Sequence, residues 1–149
     1  MDIKIVGIGP GNIDYILPIA IYTIQESDLI LGFKRALQSI EHMKITAIEL
    51  KSLSHIKEII NKNPNKKISI LASGDPCFYG ILEYVKNNIE KNIKVIPGIS
   101  SFQYLMAKLG KSWNGSYIGS LHGRDEKLES IVFNNTISIW LTDSKKNPK

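Results

Sequence analysis

The chain has 149 residues, 43% of them hydrophobic and 22% charged, which supports one good core and argues against disorder. No apolar run approaches the ~20 residues of a membrane-spanning helix, and Met1-Asp2-Ile3-Lys4 opens a strand rather than a signal peptide, so a cytoplasmic protein with no membrane partner is expected. The net charge of +5 comes from 19 basic and 14 acidic residues; the basic ones are spread along the chain, a pattern against nucleic-acid binding.

Strand and helix patterns alternate from the start. Residues 3–8 read as a buried strand ending in Gly7-Ile8-Gly9-Pro10-Gly11. Ile13, Leu17, Ile21 and Ile24 then recur at helical spacing, with Pro18 tolerable only near the helix start. Asp28-Leu29-Ile30-Leu31 is a second strand closed by Gly32, and Phe33 to Met43 returns as a helix. Ile45 to Ile48 is a third strand, followed by a helix carrying Ile56, Ile59 and Ile60 that Pro64 stops.

The fourth strand, Ile68 to Ala72, runs into Ser73-Gly74-Asp75-Pro76-Cys77-Phe78-Tyr79-Gly80. A helical pattern follows (Ile81, Leu82, Val85, Ile89), for which Asp75 is a good N-cap and Pro76 a good first residue. Cys77 is the only cysteine, which excludes a disulfide framework and a cysteine metal cluster; it reads as a small buried filler. Ile93 to Ile96 is the fifth strand and ends in Pro97-Gly98-Ile99-Ser100-Ser101. The stripe Phe102, Leu105, Met106, Leu109 marks a helix that Gly110 ends.

Lys111 to Gly115 reads as a linker between a first domain, residues 1–111, and the start of a second, residues 112–149. The second holds a strand (116–121), the loop His122-Gly123-Arg124-Asp125, a helix near 126–133 and a strand (136–141), too little for a core of its own. The expected class is α/β: an αβα sandwich around a mostly parallel sheet, with an incomplete second α/β domain.

Three strand ends each run into a Gly/Pro loop, and parallel strands bring those loops to one sheet edge, where such folds bind ligands. The spacing Gly7-x-Gly9-x-Gly11 departs from the dinucleotide fingerprint, whose third glycine comes one residue later. Glu26 and Asp28 lie near the distance of a ribose-binding acid but in ordinary helix-to-strand positions, and no Walker lysine follows any loop. Asp75 in the central loop would repel a diphosphate and welcome a cation. S-adenosylmethionine carries a sulfonium and an ammonium and no phosphate. Gly74 and Gly98 permit close backbone approach to it, and Ser100 and Ser101 offer hydroxyl or N–H donors for its carboxylate.

The Gly7–Gly11 loop, Ser73-Gly74-Asp75-Pro76 and Pro97-Gly98-Ile99-Ser100-Ser101, in this order and separation, resemble the tetrapyrrole methylase family. These are two-domain S-adenosylmethionine-dependent methyltransferases of corrin and sirohaem synthesis, with relatives acting on ribosomal RNA and diphthamide. Leu31-Gly32-Phe33-Lys34-Arg35 and Ser120-Leu121-His122-Gly123-Arg124 resemble the branch that methylates C5 of cobalt-precorrin-7 in cobalamin synthesis. The resemblance leaves C15 methylation and decarboxylation to a separate protein or fused domain. The resemblance implies a homodimer in which Ile8, Gly74, Asp75, Pro76, Phe78, Ser100 and Ser101 bind cofactor. It places Gly9, Pro10 and Gly11 against the substrate, with His122 and Arg124 beside the cleft. His122 is then a candidate base for the proton the macrocycle must lose, or a loop hydrogen-bonder, and Arg124 a fork for a substrate carboxylate. Cobalt would arrive inside the substrate, with no protein metal site. Two other functions remain open: a ribosomal RNA 2′-O-methyltransferase of the same family, and a non-catalytic S-adenosylmethionine-binding module. His42 and His55 read as surface residues, and Phe78 and Tyr79 as packing residues that could edge the pocket.

Overall fold

A computed structural model describes residues 2–90, 92–121 and 128–142. The chain divides into two compact units, Met1–Ser101 and Phe102–Lys149. In the first, β1 (Asp2–Gly7), β2 (Leu29–Gly32), β3 (Ile48–Glu49), β4 (Lys67–Ala72) and β5 (Lys94–Ile96) form one parallel sheet ordered β3-β2-β4-β1-β5. The connections carry α1 (Pro18–Gln25), α2 (Lys34–Ser39), α3 (Leu53–Lys62) and α4 (Leu82–Asn88).

Side-chain alternation along the strands sorts the core into two layers. Ile3, Ile5, Leu31, Ile68 and Ile70 pack with Ile56 and Ile60 of α3 and Val85 of α4. Val6, Ile30 and Leu71 pack with Ala20 and Ile24 of α1 and Ala36 of α2. The chain steps outward from β1 to β3 and returns through β4 to β5; right-handed crossovers put those two sets of helices on opposite faces. The expected αβα sandwich is therefore the fold of this unit. Ser69 is the polar exception in β4. It is fully buried, and its Oγ lies 2.7 Å from Ser27 Oγ, which itself donates to the Thr23 carbonyl.

Local details differ from the sequence reading. Ile13–Tyr15 is a separate 3-10 turn, Ile13 is exposed, and α1 begins at Pro18, because proline is tolerated at the first helical position and not within a helix. α2 stops at Ser39, with a 3-10 turn at Glu41–Met43 closed by Lys44 at φ +52°. β3 pairs through only two residues, later than expected. Ser52 caps α3 by accepting from the His55 N–H at 3.3 Å.

In the second unit, α5 (Ser101–Leu109) begins at the division, and β6 (Tyr117–Ser120) pairs in parallel with β7 (Ser138–Leu141) across α6 (Leu128–Asn134). Phe102 meets Trp113 edge-on at 5.4 Å, and Tyr117 lies 5.3 Å from Trp140. Of the α5 stripe, Phe102 and Met106 are buried, whereas Leu105 and Leu109 are exposed. Gly110 ends α5 at φ +61°. Among the described residues, no helix is long and apolar enough to cross a membrane.

Candidate active site

β4, β1 and β5 are neighbours in the sheet and all parallel, so their carboxyl ends deliver the three glycine loops to one edge. The loops touch one another directly. Gly9 N donates to the Gly74 carbonyl at 3.3 Å, and Gly74 N donates back to the Gly9 carbonyl at 2.7 Å. That exchange needs the left-handed backbone of both residues, at φ +74° and +69°. A Cβ on Gly98 would lie 2.1 Å from the Gly74 oxygen, so this close approach is between protein backbones.

Asp75 ties the second loop to the third. One carboxylate oxygen accepts from Cys77 N at 2.7 Å, and the other accepts from Gly98 N at 3.2 Å. The expected helix start at Asp75-Pro76 is accordingly an Asx turn. α4 begins only at Leu82, because the segment between folds tightly on itself. Tyr79 adopts φ +48°, and Gly80 sits so close to Pro76 that a Cβ would meet its carbonyl oxygen at 2.5 Å. Tyr79-Gly80 is the sequence signal for a loop here, and it competes with the N-cap signal of Asp75-Pro76. This loop leaves Cys77 exposed rather than buried. Its thiol is nevertheless held above its ordinary value, first by partial desolvation and then by the Asp75 carboxylate. Phe78 is half-buried and meets the exposed Tyr79 ring edge-on at 5.0 Å.

Of the residues singled out in the sequence, Ile8, Gly9, Gly74, Asp75, Pro76, Phe78, Ser100 and Ser101 all belong to this three-loop edge. Ile8 and Pro76 are buried, with Ile8 N donating to the Ala72 carbonyl at 3.0 Å, and Ser100 is also buried. Ser100 Cα and Ser101 N lie 3.6 and 3.9 Å from where a Gly74 Cβ would stand. Pro10 and Gly11 continue the first loop outward, and Gly11 approaches Ser39 of α2. His122 and Arg124 lie outside the described residues. Two concavities, of about 360 and 420 Å³, open elsewhere, at residues 34–49 and 82–95, and none of the described candidate site residues lines them. The donor set fits a cationic, phosphate-free cofactor: the three loops hold one carboxylate and neither lysine nor arginine.

The sequence profile of the Tetrapyrrole (Corrin/Porphyrin) Methylases matches residues 2–148. The chain belongs to that family. A Methanocaldococcus jannaschii protein named "Probable cobalt-precorrin-7 C(5)-methyltransferase" is 42% identical over 97% of this chain and 72% of its own length. The cobalt-precorrin-7 C(5)-methyltransferase of Salmonella typhimurium is 31% identical over 99% of this chain and 74% of its own. Among solved methylase-fold structures, the precorrin-6Y methylase of Archaeoglobus fulgidus superposes with a TM-score of 0.71 at 25% identity. That match covers 83% of this chain and 66% of the other. A diphthine synthase superposes at 0.76 over the whole chain and 67% of its own; at 17% identity, it speaks for the fold alone.

Proposed function

We propose that this methylase is an S-adenosylmethionine-dependent C-methyltransferase acting at C5 of cobalt-precorrin-7 in cobalamin biosynthesis. One observation carries the substrate: the 42% identity runs across 97% of the chain to a protein named for that reaction. The three-loop edge supports the cofactor. S-adenosylmethionine, when bound, supplies a methyl group activated by its sulfonium.

The chain's own residues bind and orient. The Asp75 carboxylate, already holding two loops together, places negative charge where a cationic cofactor is favoured over a diphosphate. Ile8, Gly74, Pro76 and Phe78 wall the cofactor, and Ser100 and Ser101 donate to its carboxylate. Gly9, Pro10 and Gly11 face the substrate. His122 takes the proton released from the macrocycle, and Arg124 forks a substrate carboxylate. Catalysis by such a site is largely positioning and exclusion of water. Cobalt is cargo carried by the substrate. We place the enzyme in the cytoplasm as a homodimer, with a C15-methylating, decarboxylating protein as its pathway partner.

The test is calorimetric titration with S-adenosylhomocysteine, with NAD in parallel, followed by methylation of cobalt-precorrin-7. Saturable binding of the first ligand alone, and product methylated at C5, is the expected result. Binding without turnover would favour a non-catalytic cofactor module, methylation of ribosomal RNA the other substrate class, and NAD binding would overturn the cofactor assignment.

A further inference from the structure

The segment Leu31-Gly32-Phe33-Lys34-Arg35 is only partly explained by packing. Leu31 is fully buried, Phe33 packs against the same core, and Gly32 carries its carbonyl to Leu50 N at 2.8 Å while leaving room for the Leu37 side chain. Lys34 and Arg35 are exposed, and among the described residues neither makes an ion pair.

Their placement also runs against local energetics. They open α2, where unpaired backbone N–H groups favour an acidic side chain over a cation. The first turn holds no acid, and Phe33 supplies no capping side chain. Two cations at such a position cost stability rather than adding it, and rule-breaking residues of this kind gather at functional sites.

Composition sharpens the point. Of 19 basic residues only Arg35 and Arg124 are arginine; the rest are lysine. Where a chain uses lysine almost everywhere, an arginine marks a place that calls for a planar fork able to grip a carboxylate with two N–H groups.

The topology puts Arg35 beside the cradle. Gly32 pairs with Leu71, so the chain leaves β2 at the edge where β4 leaves for Ser73 and Gly74. Arg35 and Ser39 are one turn apart on one helix face, with Ser39 Oγ donating to the Arg35 carbonyl at 3.2 Å. The same Ser39 Oγ lies 4.0 Å from where a Gly11 Cβ would stand, so that helix face borders the first glycine loop.

We propose that Arg35 is a substrate-binding residue whose guanidinium takes one carboxylate of the tetrapyrrole at the rim of the three-loop edge. Such substrates carry acetate and propionate arms around the ring, and a cation at the rim fixes which edge of the macrocycle enters. The inference rests on the methyltransferase reading above.

Arg35→Gln and Arg35→Lys separate the possibilities. With cobalt-precorrin-7, Arg35→Gln should raise KM by about 10–100-fold, the loss of one charge-assisted hydrogen-bonded pair. S-adenosylhomocysteine affinity should be unchanged, and Arg35→Lys should recover only part of the loss. The melting temperature should stay level or rise by about 1–3 °C, since a cation leaves a helix start. A structural arginine would move it the other way. Unchanged KM in Arg35→Gln, with the parent chain active and binding S-adenosylhomocysteine, would overturn this inference alone. A parent chain silent towards cofactor and substrate would overturn the reading beneath it as well.

Discussion

Replacing Gly98 with alanine tests the loop junction most directly, because two effects oppose each other there. Gly98 lies outside the left-handed region, so alanine fits its backbone and on unfolded-state entropy alone should stabilise by about 0.4–1 kcal/mol. The new methyl, however, would stand 2.1 Å from the Gly74 oxygen, 2.9 Å from the Gly7 carbonyl carbon and 3.0 Å from Gly7 Cα. The first contact is over ~1 Å inside ordinary separation, and all three neighbours are backbone atoms that no rotamer change can move aside. Overpacking of this kind costs about 1–3 kcal/mol, sometimes more. The upper end applies, because the carbonyl that must shift also accepts from Gly9 N, so the exchange between the first two loops is lost with it. A net loss of about 2–3 kcal/mol should lower the melting temperature by about 5–10 °C, and S-adenosylhomocysteine binding should fall with it. Urea and thermal unfolding read the first effect, and calorimetry reads the second. Gly110→Ala is the control, with nothing within 4 Å but φ +61°, and should cost about 1 kcal/mol through backbone strain alone. If Gly98→Ala unfolds at the parent's midpoint and binds ligand normally, the three loops do not meet as described.

Asp75→Asn keeps one acceptor oxygen but points an amide donor at a backbone N–H that now has a carboxylate. It should destabilise by about 1–2 kcal/mol and weaken S-adenosylhomocysteine binding; melting and titration curves identical to the parent's would contradict the bridging role. Cys77, though exposed, should alkylate with iodoacetamide more slowly than free cysteine at neutral pH. Its raised pKa leaves less thiolate there, so the rate should climb at higher pH than for the free thiol, and Asp75→Asn should move the profile back down. A profile at or below that of free cysteine would refute the assigned environment. At the Ser27–Ser69 pair, Ser27→Ala strands a buried Ser69 hydroxyl and should cost about 1–3 kcal/mol. Ser69→Ala removes the buried group itself and should cost about 1 kcal/mol or less. Equal losses in urea unfolding would argue against Ser27 as the partner of the buried Ser69 hydroxyl.

The sheet and the meeting of its loops were legible because both follow from strong periodic signals: apolar runs, glycine-proline punctuation and strict strand–helix alternation. The interior of the second loop was not legible. Asp-Pro opens helices and tight turns alike, and what selects the turn here is Gly98 N, a partner 23 residues away that local sequence cannot reveal. Cys77 is exposed for the same reason, since the helix expected to bury it starts five residues later, at Leu82. Ile13 has helical spacing, but Pro18 makes itself the first residue of α1 and leaves Ile13 outside it. Gly98 was read as making room for a ligand, whereas the structure gives that room to the Gly74 carbonyl. Glycine in a loop announces close approach without saying to what. Lys34 and Arg35 stand out in the sequence only through a family likeness, although the helix expected from Phe33 already puts both cations in its first turn.

The pairing of β1 carries a consequence for how the chain comes into being. Asp2 finds its partner in Lys67, and Lys4 its other neighbour in Lys94. On the ribosome the first strand therefore emerges with nothing to pair against, and waits for roughly half the chain before β4 arrives and for longer before β5. Long-range parallel pairing of this kind slows folding and leaves apolar edges open meanwhile. The three-loop edge is complete only once β5 has been made, because Gly98 N is one of the two donors to the Asp75 carboxylate. A nascent chain that ended before β5 would hold the residues of the β1–β4 and β2–β4 pairings but lack the Asp75–Gly98 junction, so the meeting of all three loops is absent until β5 is present rather than growing with length.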